Sequence, residues 1–284
     1  MVESHSSQAP VSNPAFVPDA SGWSAARYNQ VASFVYSSAF TSPVLELLAP
    51  QPGEWIVDFG CGSGELTLEL KKTVGRDGRV VGVDFSSSMI DKAKHGGLEH
   101  AFVADIQTPA DLPEALLASA NQFDVVFSNA ALHWCKRDPM GVVLSVKRML
   151  KPSGRFVGEM GGLMNCVGVR SALHIALRRR NYDPVSMDPW YFPSVHDYQT
   201  LLSSAGFKVV HISLNPRYTP LPAGLGAWLE LFVRHSFLRE LGDEEAKEVI
   251  NEVVESCAVD SRDAQGKWAL MYMRLRFHAV LSVL

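Results

Sequence analysis

A glycine-rich segment between two apolar stretches has the residue types and the spacing that could bind a cofactor. Residues 57–64 read Val-Asp-Phe-Gly-Cys-Gly-Ser-Gly, and a second apolar stretch, residues 79–84, ends in Asp84. A strand, a glycine turn and a second strand ending in an acid place a nucleoside at the carboxyl edge of a parallel sheet, with the acid on its ribose hydroxyls. The segment therefore predicts a nucleoside-cofactor site, and the identity of the nucleoside decides the function.

The positions of the glycines distinguish between two kinds of cofactor. A dinucleotide-binding turn needs glycine at its first, third and sixth positions, but the sixth position counted from Gly60 is Glu65, which is too large. The glycines stand instead at alternate positions, Gly60, Gly62 and Gly64. Glycines let the backbone pass close to a ligand where a Cβ would collide, and the acid before them, Asp58, suits a cationic amino group. Glu65 thus counts against an NAD-dependent oxidoreductase, which stays as an alternative.

The pattern D-x-G-x-G-x-G that starts at Asp58 resembles motif I of the class I S-adenosylmethionine (SAM) dependent methyltransferases. SAM has no pyrophosphate, so its loop does not have to present a helix N-terminus to a large anion. The resemblance implies SAM as the cofactor, S-adenosylhomocysteine as its product, and no metal ion. A non-catalytic SAM-binding protein with the same fold also remains open.

The composition is that of an ordinary globular protein. The 284 residues include 47% hydrophobic and 20% charged residues, which is enough for a substantial core. A net charge of −4 and a pI near 6.1 argue against a nucleic-acid partner, because such proteins show a basic surface. The four cysteines form no C-x-x-C pair, and no apolar stretch is long enough to cross a membrane. We therefore expect a cytoplasmic protein with no membrane partner, disulfide framework or zinc site.

Apolar strands alternate with helices through the first half, after a stretch rich in Ser, Pro and Ala (residues 1–20) that we expect to be a flexible leader. The predicted strands are 55–59, 79–84, 101–104, 123–128 and 155–160. The predicted helices are 23–48, 65–74, 87–94, 112–119 and 140–150. Continuous apolar strands separated by helices indicate a parallel sheet that is covered on both faces.

The second half departs from this alternation. Its predicted elements are helices over 166–180 and 196–205, a strand over 207–214, helical spacing between 225 and 254, and a strand with one wetter face over 271–280. With the resemblance, these elements imply a Rossmann-like α/β fold: a seven-stranded, mostly parallel sheet with an antiparallel last strand, helices on both faces and a helical lid insertion. The methyltransferase domain would span 21–284, with helical cap elements at about 165–205 and 216–266.

Three further segments are similar to small-molecule methyltransferases of the trans-aconitate, malonyl-carrier-protein and ubiquinone-pathway types. They are Trp23-x4-Tyr28, residues 127–134 (Phe-Ser-Asn-Ala-Ala-Leu-His-Trp) and residues 190–194 (Trp-Tyr-Phe-Pro-Ser). This resemblance implies a small-molecule acceptor, with O-methylation of a carboxylic acid favoured and C-, N- or S-methylation open. Residues 128–131, Ser-Asn-Ala-Ala, replace the Asn/Asp-Pro-Pro-Tyr/Phe signature of many DNA, RNA and protein methyltransferases. Monomer and homodimer both remain open.

The resemblance also assigns roles to individual residues of the cofactor site. Asp84 would bind the ribose, Asp105 would bind the adenine amine, and Asn129 would lie beside the sulfonium. The other predicted contacts are Asp58, Gly60, Cys61, Gly62 and Gly64 in the loop, Phe85, Met89 and Ile106 around the adenine, and Tyr28 over the methionine end. Three of these have a structural alternative, since Tyr28 could simply pack its helix onto the sheet, Met89 could belong to the core and Asp105 could cap a loop.

On the acceptor side, His133 is the candidate catalytic base, because it follows the fourth strand and so lies near the methyl group. Alternatively, His133 and Trp134 shape and seal the pocket, with His133 bonded to the backbone. Trp190 and Tyr191 are predicted to line the acceptor cavity, although an aromatic loop also pins a lid to a core. Arg217 could neutralise an acidic substrate or could lie in solvent. A carboxylate nucleophile needs no base, whereas a phenol, an amine or a carbon acid often does.

Overall fold

A computed structural model of the chain describes Gly22 and residues 38–282. The leader predicted over residues 1–20 and the cofactor contact predicted for Tyr28 lie outside the described residues. The helix predicted over 23–48 is described from Ser38 onward as α1 (Ser38–Leu48), and it ends where the sequence predicts.

Seven strands of the described chain form one sheet in the order β3-β2-β1-β4-β5-β7-β6. They are β1 (Trp55–Phe59), β2 (Arg79–Asp84), β3 (Ala101–Val103), β4 (Phe123–Asn129), β5 (Leu150–Gly161), β6 (Phe207–Leu221) and β7 (Trp268–Leu281). The first five strands run parallel to one another, and β7 is antiparallel to both β5 and β6. This arrangement confirms the predicted Rossmann-like α/β fold with its antiparallel last strand.

Helices pack on both faces of the sheet, as predicted. After α1 they are α2 (Glu65–Val74), α3 (Ser87–His95), α4 (Glu114–Leu117), α5 (Pro139–Met149), α6 (Val167–Arg179), α7 (Pro184–Met187), α8 (Val195–Ser204), α9 (Gly224–Phe232) and α10 (Asp243–Ser261). Successive strand residues point to opposite faces, so Ile56 of β1 belongs to a cluster with α1 and α2, whereas Val57 belongs to one with α5 and α8. The apolar strands are therefore buried on both sides.

Four helices, α6, α7, α9 and α10, form a cap with a hydrophobic cluster of its own. The cluster includes Leu173 of α6, Trp228 of α9 and Val249 of α10, and it reaches the sheet at Leu270 and Tyr272 of β7. The cap therefore has its own core and rests on the last strand. The prediction of cap elements at about 165–205 also included the helix α8, but α8 packs on the core of the sheet instead.

The strand β6 extends past residue 214, where the sequence predicts its end. It pairs with β7 along its whole length, from Phe207 opposite Leu281 to Leu221 opposite Trp268. Pro216 and Pro220 interrupt the sequence pattern of a strand, but β6 is an edge strand, where proline is tolerated because it removes no required hydrogen bond. The second cap segment, predicted from residue 216, thus begins only after this strand.

The strand order reverses direction around β1, which lies between β2 and β4. In open α/β sheets, such a switch point leaves a crevice outside the carboxyl ends of the strands, and ligands bind there. The glycine-rich loop follows β1 directly and therefore lies at this crevice.

No helix among residues 38–282 is both long and apolar enough to span a membrane.

Candidate active site

A cavity of about 340 Å³ opens at the carboxyl ends of β1, β2 and β4; we refer to it as the cofactor cavity. The predicted cofactor residues that line it are Asp58, Gly60, Cys61, Gly62, Asp84, Phe85, Met89, Asp105, Ile106 and Asn129. The structure thus brings together residues that lie far apart in the sequence. Its far wall comes from the cap, where sequence reasoning identified no contact; the cap residues are Leu231, Phe232, His235, Ser236 and Arg239.

The glycine loop has the backbone geometry that the sequence pattern requires. Gly60 and Gly62 have positive φ angles of 83° and 55°, in the left-handed region that favours glycine. A Cβ on Gly60 would lie 2.1 Å from the Cβ of Ala131, so no larger residue fits there. Gly64, which was predicted to contact the cofactor, does not line the cavity. Its own Cβ would lie 3.1 Å from the Cβ of Ala93 in α3, so Gly64 lets the loop pack against that helix.

The carboxylate of Asp84 holds the glycine loop to the end of β2. One oxygen accepts a hydrogen bond from the backbone N–H of Gly62 at 2.9 Å, and the other accepts one from the N–H of Ser86 at 2.9 Å. Because a carboxylate has about four acceptor positions, it can accept ribose hydroxyls while it keeps these two bonds. The geometry therefore fits the ribose-binding role predicted for this acid.

Asp58 is a buried acid beneath the glycine loop, and it lines the part of the cavity that could hold a cation. Its side chain accepts a hydrogen bond from the hydroxyl of Thr67 at 2.6 Å. Burial raises the pKa of Asp58 to about 7, and the nearby negative charge of Asp84 adds to the shift. A positive charge in the cavity would stabilise the carboxylate form. The site therefore fits the ammonium group of the methionine portion of SAM.

The adenine end of the cavity contains one residue that sequence reasoning missed. Asp105, which we predicted to bind the adenine amine, forms a salt bridge with Arg137 at 2.8 Å and accepts the backbone N–H of Gln107 at 2.9 Å. Arg137 lines the same cavity. Phe85 is 60% exposed at the cavity, whereas Met89 is 4% exposed, so the two apolar neighbours differ in how open they are to a ligand.

A second, smaller cavity of about 60 Å³ adjoins the first and lies under the cap; we refer to it as the acceptor cavity. The two cavities share four lining residues, Asn129, Ala130, Trp134 and Phe232. Its other aromatic walls are Trp190, Phe192, Trp228 and Tyr272. A molecule in the acceptor cavity would therefore lie next to the cofactor cavity and between aromatic rings.

Tyr191 does not line either cavity, contrary to the prediction. In the extended loop that leads to α8, alternate residues face opposite ways: Trp190 and Phe192 stack with ring centroids 5.6 Å apart, while Tyr191 packs toward Tyr198 at 6.5 Å. Tyr198 belongs to the core of the sheet. The loop thus faces the acceptor cavity with Trp190, as predicted, and with Phe192, which was not among the predicted residues.

The floor of the acceptor cavity carries more positive than negative charge. Glu159 of β5 is fully buried and accepts hydrogen bonds from Arg274 Nε at 2.9 Å, Arg217 Nη1 at 3.2 Å and Arg276 Nε at 2.5 Å. Arg217 and Arg274 line the cavity, so Arg217 lies in the site and not in solvent. One carboxylate faces three guanidinium groups, which leaves an excess of positive charge. Arg274 Nη2 and Arg217 Nε are buried and have no hydrogen-bond partner among the described residues.

His133 lies in the wall of the acceptor cavity and is uncharged. Burial, with a contribution from the positive charge of Arg274, holds the pKa of His133 well below its ordinary value. Its Nδ1 accepts the backbone N–H of Gly161 at 3.4 Å, and its backbone oxygen accepts the N–H of Tyr191 at 2.8 Å.

Among the described residues, no group of three or more His, Cys, Asp or Glu side chains could hold a metal ion.

The chain resembles known proteins in its sequence and in its fold. Residues 57–158 match the family model described as a methyltransferase domain. The chain is 36% identical over 264 residues to the uncharacterized methyltransferase C70.08c of Schizosaccharomyces pombe, which covers 90% of this chain and 97% of the relative. It is 38% identical over 102 residues to the malonyl-[acyl-carrier protein] O-methyltransferase of Hahella chejuensis, a match that covers 36% of this chain and 34% of that protein. The fold matches the crystal structure of BH2331 from Bacillus halodurans C-125 with a TM-score of 0.59 at 14% identity, over 86% of this chain and 100% of the other.

Proposed function

The chain belongs to the class I SAM-dependent methyltransferases, and we propose that it methylates a carboxylate oxygen of a small-molecule acid. Bound SAM supplies a methyl group that its sulfonium has already activated, so the protein's task is to bind and orient the acceptor. The acceptor cavity is where that task would be performed, because it adjoins the cofactor cavity along Asn129 and Ala130.

The excess of buried positive charge at the acceptor cavity is the observation that carries this proposal. A buried N–H group that lacks a partner costs about 1–3 kcal/mol, and the cavity has two such groups, on Arg217 and Arg274. We expect an acceptor carboxylate to bind the guanidinium groups that line the cavity and to offset the charge that Glu159 leaves unbalanced. A neutral or cationic acceptor would leave this charge unbalanced. Hydrogen bonds between guanidinium and carboxylate groups are among the strongest in proteins.

The remaining walls of the site are compatible with a carboxylate nucleophile. Such a group is already an anion, so it needs no base to remove a proton. The aromatic walls, among them Trp190 and Trp228, would exclude water from the acceptor and orient its apolar part. A relative that matches over 102 residues is, by its name, an O-methyltransferase of a malonyl group, which also supports an acidic acceptor.

Methyl transfer to matched pairs of compounds tests the proposal. We would incubate the protein with SAM that is labelled on its methyl group and with small carboxylic acids, each beside its amide, together with phenols, amines and thiols. We expect label in the acids and not in the amides. The products should release volatile labelled methanol in alkali, because esters hydrolyse there. Label that remains on nitrogen, sulfur or carbon after alkali would contradict the proposal.

The raised pKa of Asp58 predicts how cofactor affinity depends on pH. Below about pH 7 its carboxyl is protonated and offers no charge to the ammonium of S-adenosylhomocysteine, so binding there must release a proton. We expect the affinity to fall by up to about tenfold for each pH unit below 7 and to be nearly constant just above it. Calorimetry at pH 6 in two buffers with different ionisation enthalpies measures the proton release directly.

The variant Asp58→Asn is the control for this pH dependence. Its amide can still accept the hydrogen bond that Asp58 receives from Thr67, but it cannot ionise. We expect weaker binding with no slope between pH 5.5 and 7 and no proton release. A slope of the same size in Asp58→Asn would assign the titration to another group.

A further inference from the structure

We infer that His133 binds the acceptor through its Nε2–H, as a neutral hydrogen-bond donor, and that it does not remove a proton. The inference deepens the proposed function and rests on it, because it assumes that the acceptor lies in the cavity lined by His133 and Arg274. It replaces the role of catalytic base that the sequence predicts for His133.

The backbone fixes the position of the proton on the imidazole ring. A neutral imidazole has one nitrogen that donates and one that accepts. The N–H of Gly161 points to Nδ1 at 3.4 Å, so Nδ1 is the acceptor. Gly161 belongs to β5 and pairs with Arg274 of β7, so the sheet holds this peptide group in place. This bond assigns the proton to Nε2, which in that tautomer has no lone pair with which to act as a base.

Neighbouring groups also fix the orientation of the ring. His133 packs against Trp134 with centroids 5.5 Å apart and against Phe192 at 5.9 Å. The N–H of Tyr191 donates to the backbone oxygen of His133 at 2.8 Å, which ties this segment to the loop before α8. No bond from Nε2 to a described residue is found. The donor is therefore held rigidly in the wall of the acceptor cavity, as a group that positions a substrate must be.

Burial, with a contribution from the positive charge of Arg274, favours the uncharged form of the His133 ring. The titratable and charged side chains that line the same cavity are Glu159, Cys166, Arg217, Tyr272 and Arg274. The neighbouring arginines hold the pKa of Glu159 below its ordinary value. Burial raises the pKa of Cys166 to about 12 and also raises the pKa of Tyr272. Burial lowers the pKa of Arg217, but only to about 10. The pKa shifts of Glu159, Cys166 and Tyr272 therefore lead away from neutral pH, and the lowered pKa of Arg217 still lies well above it. Burial shifts the pKa of His133 in the direction of its neutral form.

The chemistry balances without a proton transfer. His133 and the guanidinium groups hold the acceptor carboxylate, and one of its oxygens forms a bond to the methyl carbon. The bond between that carbon and sulfur breaks, and its electron pair stays on sulfur. The negative charge of the carboxylate and the positive charge of the sulfonium disappear together. A base has no proton to accept in this step, whereas a donor keeps the acceptor aligned for it.

Two variants of His133 separate a donor from a base. His133→Phe keeps a ring of similar shape but has no donor, and His133→Gln places an amide N–H near the position of Nε2. We expect His133→Phe to lower kcat/KM for the acceptor by about 10- to 100-fold, which is the range for one hydrogen bond to a charged group. We expect His133→Gln to recover most of that loss. Calorimetry with S-adenosylhomocysteine should show unchanged cofactor binding in both variants, which excludes misfolding.

The pH profile of kcat at saturating SAM completes the test. In the donor role, kcat of the wild-type protein is constant between pH 6 and 9. A profile that rises with a pKa near 6 to 7 in the wild type and becomes flat in His133→Gln would establish a base and overturn the inference. Wild-type activity in His133→Phe would also overturn it. If the labelling experiment finds an acceptor that is not an acid, the proposed function fails separately, and the same variants still test the donor on that acceptor.

Discussion

We expect the replacement of Asp84 by alanine to weaken S-adenosylhomocysteine binding by about 100-fold or more, since each hydrogen bond to a charged group contributes about 1.5–3 kcal/mol. Two losses add in this variant. In the wild-type protein the Asp84 carboxylate accepts hydrogen bonds from the N–H groups of Gly62 and Ser86, both at 2.9 Å. These bonds hold the glycine loop in the conformation that lines the cofactor cavity. In its predicted role the carboxylate would also accept hydrogen bonds from the ribose hydroxyls. Alanine removes the anchor and the acceptor at once.

Calorimetric titration measures this loss, and a neighbouring residue provides the control. Asp91 is an exposed acid on α3 that lines neither cavity, so Asp91→Ala changes the net charge equally and should bind S-adenosylhomocysteine normally. Asp84→Asn should have an affinity between those of the wild type and Asp84→Ala. Its amide oxygen can accept one of the two backbone N–H groups, but its NH2 group would face the other N–H, and two donors cannot bond. Unchanged affinity in Asp84→Ala would show that the ribose does not bind at the end of β2.

The cofactor cavity could be predicted from sequence because its constraints are local. The spacing of Asp58, Gly60 and Gly62 is set by one strand and one turn, and Asp84 ends the next strand. The reason why Gly60 must be glycine is not local, because the obstructing atom is the Cβ of Ala131 on another loop. The pattern nevertheless indicates that requirement, since few turns need glycine at alternate positions.

The charge cluster of the acceptor cavity could not be predicted, because its members meet across strands that are distant in the sequence. The alternation in β7 predicts a strand with one wetter face, with Arg274 and Arg276 on that face. In the structure Arg274 is 3% exposed and its Nε donates to Glu159, which lies 115 residues earlier. The available signal was Glu159 itself, an acid inside an otherwise apolar strand. Such an acid must find a cation when it is buried, but the sequence does not indicate which one.

We expect Arg274→Met to lower kcat/KM for an acid acceptor by about 30-fold or more, because removal of one partner from a buried charge pair costs about 2–5 kcal/mol. Methionine fills most of the volume, but it has neither the positive charge that lines the cavity nor the buried Nη2 donor that lacks a partner among the described residues. Cofactor affinity should not change, since Arg274 does not line the cofactor cavity. Methyl transfer at varied acceptor concentration, with calorimetry for S-adenosylhomocysteine, separates the two effects.

Arg276→Met is the matched control, because it removes a different arginine from the same carboxylate. Arg276 donates to the other oxygen of Glu159 and does not line the acceptor cavity. Both variants deprive Glu159 of one partner, so both should unfold at a lower temperature than the wild type. Only Arg274→Met takes away a group that an acceptor carboxylate can reach. Equal losses of activity in the two variants would mean that the arginines serve only to neutralise Glu159. A loss confined to Arg274→Met would mean that the excess positive charge of the cluster is there to bind an acid.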